Sequence, residues 1–387
     1  MVSSRAARLG IVLIAIAACV NIAIGVALAW RDPARASDLW TMYDWTRGWI
    51  AANLRHYTGV HDAVDYPPNA IVVLSPLGLL PQRLVLPVWI VLGVALAVVV
   101  PYLAIRCALP RGRLMALPLL LVCCWTSTRT LLQFTTLSLA LAFGSALIAD
   151  SRWLASGVLL GLALFKPHVA GPFALWALVS GRLRTVAVAM AVAVGGVGIY
   201  AVHAGENPID TIRGYPRSLA VLYTGEDALA GRTSIREPIA AAIKDPRAAD
   251  AVWIVAAITL LACATWLARR DPHRPLDDGG IAIPALFCLC SLAAIYHNVN
   301  NLILMLPAFL FLWFVNGEQA GSRRWLQIAC LQAVLMLDVP TRLAGLVWRG
   351  ALAMLLVEHF DRLLVLACFA DVAVAWSRMT RSRPDTA

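Results

Sequence analysis

The chain has 387 residues, 60% of them hydrophobic and only 14% charged, with a mean hydropathy of +0.76. Soluble domains carry about 25% charged residues, and a water-soluble chain must still cover itself with a largely water-facing surface. A cytosolic enzyme, a disordered tail and a secreted disulfide scaffold are excluded, and the solvent is a bilayer. The formal charge is +10, and all but Lys166 and Lys244 of the 32 basic residues are arginine. Nucleic acid is not an expected partner: in a membrane chain, arginines mark cytoplasmic loops and touch anionic headgroups. Eight of the nine cysteines lie inside apolar runs, where a thiol behaves as a small hydrophobe, so neither a disulfide framework nor a metal site is expected.

Residues 9–30 are long enough to span the membrane and lack a cleavage-type ending, so they read as an uncleaved first span with a cytoplasmic N-terminus. Residues 31–66 form the first outward loop. Within it Trp40, Tyr43 and Arg47, and again Trp45 and Trp49, recur at three or four, as on a helix lying at the interface. Tyr66-Pro67-Pro68 opens residues 67–105, which suit one broken or re-entrant piece plus one span; irregular backbone at membrane depth survives only against protein or a water-filled cavity. Runs at 114–126, 130–149, 153–166, 168–180 and 183–202 follow. A second outward loop is expected over 203–250, with interfacial helices in the outward loops, and further spans at 251–268, 279–297, 299–315 and within 325–377. Several runs are thin for the ~20 residues a span needs, and the total comes to roughly ten to twelve. Every arginine-rich connection then falls on the side of the N-terminus, as does the basic C-terminal end. The whole chain reads as a single all-α polytopic domain without an internal repeat.

With this topology the outward face collects the unusual groups: Asp38 and Asp44, Tyr66-Pro67-Pro68, Arg129 with Gln133, Lys166-Pro167-His168, the 203–250 loop, and His297-Asn298 with Asn300-Asn301. Each has a plain structural reading. Asp38 can cap a helix with Ser37, Asp44 can pair with Arg47, Arg129 and Lys166 can serve the interface, and His297 can bond a carbonyl. Together they suit an enzyme that holds a lipid phosphate with cations and deprotonates an acceptor with a carboxylate. No nucleotide-cradling glycine loop, H-E-x-x-H or G-x-S-x-G is present. An activated sugar is therefore expected as a lipid-linked one.

The run Asp38-Leu-Trp-Thr-Met-Tyr43, then Tyr66-Pro67-Pro68, then Pro76-Leu77-Gly78-Leu79-Leu80-Pro81, resembles the opening of glycosyltransferase family 87. Leu132-Gln133-Phe134 is similar to its G-Q-x-N segment, with Leu132 and Thr135 in place of the Gly and Asn. Phe165-Lys166-Pro167 is similar to its K-x-x-P helix end with a shifted proline, and Tyr296-His297-Asn298 to part of its W-x-H-H segment. The resemblance spans roughly residues 10–315. It implies a GT-C fold and a polyprenyl-phosphate-mannose-dependent α-mannosyltransferase of the phosphatidylinositol mannoside type, acting with inversion on the outer side of a bacterial plasma membrane. It implies Asp38 as the catalytic base, His297 near the donor phosphate or acceptor, and Lys166 and Arg129 as phosphate contacts; with the outward groups Asp44, Tyr66, Gln133 and His168 these make the expected substrate-binding residues. The lipid-linked sugar is the co-substrate, a glycolipid the acceptor, and no cofactor is expected. Two other classes compete: a flippase for a lipid-linked sugar, which needs the cations but no base, and a scaffold, in which the outward polar groups are expendable.

Overall fold

The computed structural model describes residues 5–52, 66–108, 133–223, 234–295, 299–319 and 360–381, and every regular element among them is a helix. The first apolar run forms α1 (Arg5–Arg31), which a 3-10 turn (Pro33–Ala36) joins to α2 (Ser37–Ile50). Then come α3 (Pro68–Gly78), α4 (Gln82–Ala108), α5 (Thr135–Ile148), α6 (Trp153–Ala163), α7 (Pro167–Val179) and α8 (Leu183–Ala204). The remainder are α9 (Pro208–Tyr223), α10 (Arg236–Ala242), α11 (Pro246–Ala268), α12 (Ala282–Ala294), α13 (Leu306–Gln319) and α14 (Phe360–Arg381). Helices α3, α7 and α11 start on a proline, whose missing N–H costs nothing in the first turn. The 203–250 stretch, expected as an outward loop carrying interfacial helices, holds α9 and α10 and the start of α11. Gly205, at φ +66, turns the chain out of α8, and Thr211 Oγ1 donates to buried Glu206 at 2.8 Å to fasten the next helix.

Helix α12 is buried on all sides and forms the axis of the bundle, touching α7, α11, α13 and α14. The outermost helices are the reverse. Only 17% of the apolar window of α11 is buried, and Val255, Ile258 and Trp266 stand exposed on it. That much apolar surface is an aggregation liability in water and an ordinary outer face in lipid. The protein is thus an all-α membrane protein. Among the described residues α4, α8 and α11 are long and apolar enough to cross a bilayer, while α3, α5, α6, α7 and α12 are shorter apolar helices.

The arginine-rich connections meet at one end. Asp150, after α5, takes Arg182, after α7, at 2.8 Å. Gly181 lies against His273, Arg270 donates to Ser377 Oγ at 2.7 Å, and Gly279 abuts Met379 in the last turns of α14. The basic C-terminal turn therefore shares the end of the other arginine connections. From that end the short helices α5, α6, α7 and α12 rise only about 16–21 Å, whereas α4, α8 and α11 rise about 33–40 Å. Short helices surrounded by long ones leave their tips part-way up, within a hydrocarbon layer of about 30 Å. Helix α3 fits the re-entrant piece expected from 67–105. Asn69 in its first turn meets Gly196 part-way along α8, and its far end, Gly78, lies against Thr46 of α2.

Two helices of this bundle approach closely because one lacks side chains. A Cβ added at Gly157 or at Gly161 of α6 would stand 2.5 Å from the Cβ of Val188 or Val192 of α8. This small-x-x-x-small stripe brings the backbones together, as is common between helices in lipid. Helix α5 is fastened to the other side of α6 by Ser145 and Ser156, each hydroxyl donating to the other residue's carbonyl at 2.8 and 3.0 Å. Gly161→Leu is expected to force α6 off α8 and cost about 1–3 kcal/mol. Thermal unfolding in detergent checks it; a melting temperature equal to wild type would sink the close crossing.

Candidate active site

Proline chemistry sets the first two site residues. Tyr66 precedes Pro67 and Pro68, and Pro67 is extended at ψ 157, which turns the chain into α3 and leaves Tyr66 at its mouth. Lys166 precedes Pro167, takes φ −126 and ψ 79, and stands at the N-cap of α7, joined to α6 by a short turn. Both side chains are buried, each 6% exposed. Lys166 Nζ donates to Tyr66 Oη at 3.3 Å and lies 5.4 Å from the centre of the Tyr66 ring. An ammonium at membrane depth is costly, and such groups default to function.

Phe134 closes the other side. It stands at the N-cap of α5, fully buried, edge-on to Tyr66 with ring centres 5.9 Å apart. Its far side meets Trp89 of α4 at 4.6 Å. Gln133 is half-buried beside it. Thr135, which stands where the family segment has Asn, donates through Oγ1 to Asn301 Oδ1 at 2.8 Å. Ser291 at the end of α12 donates to the His168 carbonyl at 2.8 Å, and the His168 side chain is half-buried. The N-termini of α3, α5 and α7 thus meet within side-chain reach of Lys166. Helix N-termini carry partial positive charge, and α3, α5 and α7 have no side-chain cap. With the ammonium they make a place suited to an anion such as a phosphate.

The sequence candidates divide accordingly. Tyr66 and Lys166 touch, Gln133 adjoins them through Phe134, and His168 lies two residues after Lys166. Asp38 lies in the first turn of α2, half-buried, in line with Met42, Trp45 and Trp49. Helix α2 joins the same aromatic cluster: Trp49 donates to the Tyr200 carbonyl at 3.2 Å, and Tyr43 to the Leu80 carbonyl at 3.2 Å. Asp38 makes no hydrogen bond or ion pair with another described residue, and Ser37 is the first residue of the helix, so the pair forms no side-chain cap. Asp44 is exposed, and Arg47, the partner available to it, donates instead to Tyr43 Oη at 3.1 Å. Arg129 and His297 lie outside the described residues. Phe134, Trp89, Thr135 and Ser291 were not among the candidates; single aromatics and hydroxyls in apolar runs carry no sequence signal that separates them from core. Among the described residues no three of His, Cys, Asp and Glu come together as a metal site does.

The structure thus defines a helical membrane bundle with a buried ammonium and three helix N-termini at the end opposite Arg182 and Arg270. The family model of glycosyltransferase family 87 matches residues 65–291, more than half of the chain, and the protein belongs to that family. It is, by that membership, a membrane glycosyltransferase. The match takes in Tyr66, Gln133, Lys166, His168 and Ser291; Asp38, Asp44, His297 and Asn301 stand outside it. It is shorter than the stretch over which the sequence motifs run, and the Asp38–Tyr43 motif is not part of it. Comparisons with curated proteins and with solved structures found no match.

Proposed function

We propose that the protein transfers a sugar, mannose in the first instance, from a polyprenyl phosphate to a lipid-linked or glycan acceptor, with inversion at the anomeric carbon. The observation that carries this reading is the buried Lys166 ammonium, held by Tyr66 at the meeting of three helix N-termini. In the transfer, the acceptor hydroxyl gives its proton to Asp38 as its oxygen bonds to the anomeric carbon. On the opposite face the bond from that carbon to the phosphate oxygen breaks, and the lipid phosphate leaves with the electron pair. The departing oxygen gains charge, so a preorganised cation and aligned dipoles stabilise the transition state more than the ground state. Gln133 and His168 line the approach, Arg129 and His297 are further contacts for donor or acceptor, and Asp44 serves the rim. The reading asks for no cofactor beyond the donor itself. It places the site on the outer side of a bacterial plasma membrane, opposite the arginine-rich end, in an architecture of the GT-C kind.

The experiment uses the purified protein in nanodiscs with polyprenyl-phosphate-linked radiolabelled mannose and a lipid extract containing phosphatidylinositol mannosides. Label appearing in a new glycolipid is the expected result. Label that changes leaflet without changing lipid would establish a flippase instead.

A further inference from the structure

We infer that Asn301 determines sugar specificity: its carboxamide reads one hydroxyl of the sugar transferred beside Lys166. The inference rests on the transferase reading above and adds a residue outside the family match. Asn301 lies in the 3-10 segment Val299–Met305 and is 5% exposed. Its Oδ1 accepts the Thr135 hydroxyl at 2.8 Å, which holds the amide in one orientation. Its Nδ2 donates to no described residue. Buried amide groups are nearly always paired, and an unpaired one costs more the less water surrounds it. The polar atoms sealed away without a partner among the described residues are Trp89 Nε1, Trp176 Nε1 and Ser180 Oγ. Asn301 Nδ2 is not one of them, so its N–H groups border space that a ligand atom can enter.

The surroundings say which ligand atom fits. Thr135 leads directly from Phe134, whose ring contacts Tyr66, whose hydroxyl takes Lys166. The Asn301 amide is therefore set beside the anion site but not in it. Its partner Thr135 is neutral, as are Gln133 and Thr136 close to it along the chain, and Thr136 is 4% exposed with no hydrogen bond from its hydroxyl to a described residue. The first turn of α5 that carries both threonines has no side-chain cap. Neutral groups able both to donate and to accept match a sugar hydroxyl, which does both; the buried ammonium matches the phosphate. A site built to bond a hydroxyl rejects the analogue lacking it, because its own polar groups are then left unpaired.

The test uses full-length protein in nanodiscs, a polyprenyl-phosphate sugar that the wild type transfers, and analogues of that donor each lacking one hydroxyl. Asn301→Ala is expected to lower kcat/KM about 10-fold for the complete sugar. For the one analogue lacking the hydroxyl that Asn301 reads, wild type and variant are expected to be equal. Thr135→Val, which leaves the amide in place but frees it to turn, is expected to weaken the same discrimination about 3-fold, and it decides the matter if Asn301→Ala does not fold. Variants that lose activity equally on every donor, or lose none, would overturn the inference while leaving the transferase reading standing. A wild type that moves label from no donor would overturn that reading, and this inference with it.

Discussion

Asp38→Asn is expected to lower the turnover number about 10²–10⁴-fold, the range for removing a positioned general base. The exchange keeps the shape of the side chain and removes only its capacity to take a proton. The residue is half-buried and bonded to no other described residue, so the fold loses little. What it loses is the interaction of a carboxylate with the N-terminus of α2, about 0.3–1 kcal/mol. Donor binding, measured with the labelled lipid at equilibrium, should stay near wild type, because the proposed mechanism assigns the phosphate to Lys166. A flippase has no proton to move and would tolerate the change. Helix geometry makes the choice between the two carboxylates of α2 sharp. Asp38 and Asp44 are six residues apart and stand about 120° apart around the helix, so they point to different faces. Asp38 is in line with buried Met42 and Trp49, and Asp44 is exposed. An Asp38→Asn protein as active as wild type would take the residue out of the chemistry and make Asp44→Asn the next variant.

Lys166→Met should lower kcat about 10²–10³-fold, as loss of one preorganised group at a developing negative charge does elsewhere. The effect falls on kcat as well as on KM, because the phosphate oxygen carries more charge when the sugar is leaving than before. Lys166→Arg keeps the charge, but a planar fork cannot occupy the place of a compact ammonium 3.3 Å from Tyr66 Oη, and a partial loss is expected. Both variants need a size-exclusion profile and a melting curve beside the kinetics, since Lys166 is buried. If Lys166→Met folds as wild type and transfers sugar at an unchanged rate, the anion site lies elsewhere. The two predictions separate on the donor: Asp38→Asn spares its binding, and Lys166→Met weakens it.

Much of the architecture is legible along the chain because hydropathy is a local property. The run at 9–30 is α1, the aromatic repeat after it is α2, and the thin pieces at 153–166 and 168–180 are the hairpin α6–α7. The proline-broken segment at 67–105 divides into α3 and α4 as its breaks require. In the 203–250 stretch the bounds of the helices were less readable. Its charges mark it as solvated, and a solvated helix such as α9 differs from a loop only in its periodicity. In the candidate site, Lys166 stands out in sequence because a charge after an apolar run has no cheap explanation. Phe134 and Trp89 do not stand out, because an aromatic in an apolar run is what a core also contains.

Composition alone decided that the solvent is lipid, since no arrangement of so apolar a chain leaves enough polar surface for water. The family resemblance was legible in short local motifs such as Tyr66-Pro67-Pro68 and Pro76–Pro81, and the family match over residues 65–291 bears it out. Which polar groups meet was decided only by the packing of the helices. Tyr66 and Lys166 are 100 residues apart, and Thr135 and Asn301 are 166 apart. Their pairing depends on short helices ending at matching heights among long ones. Helix length can be counted along a chain, but the order in which helices pack around α12, and so which tips face one another, follows from side-chain fit between segments far apart in sequence.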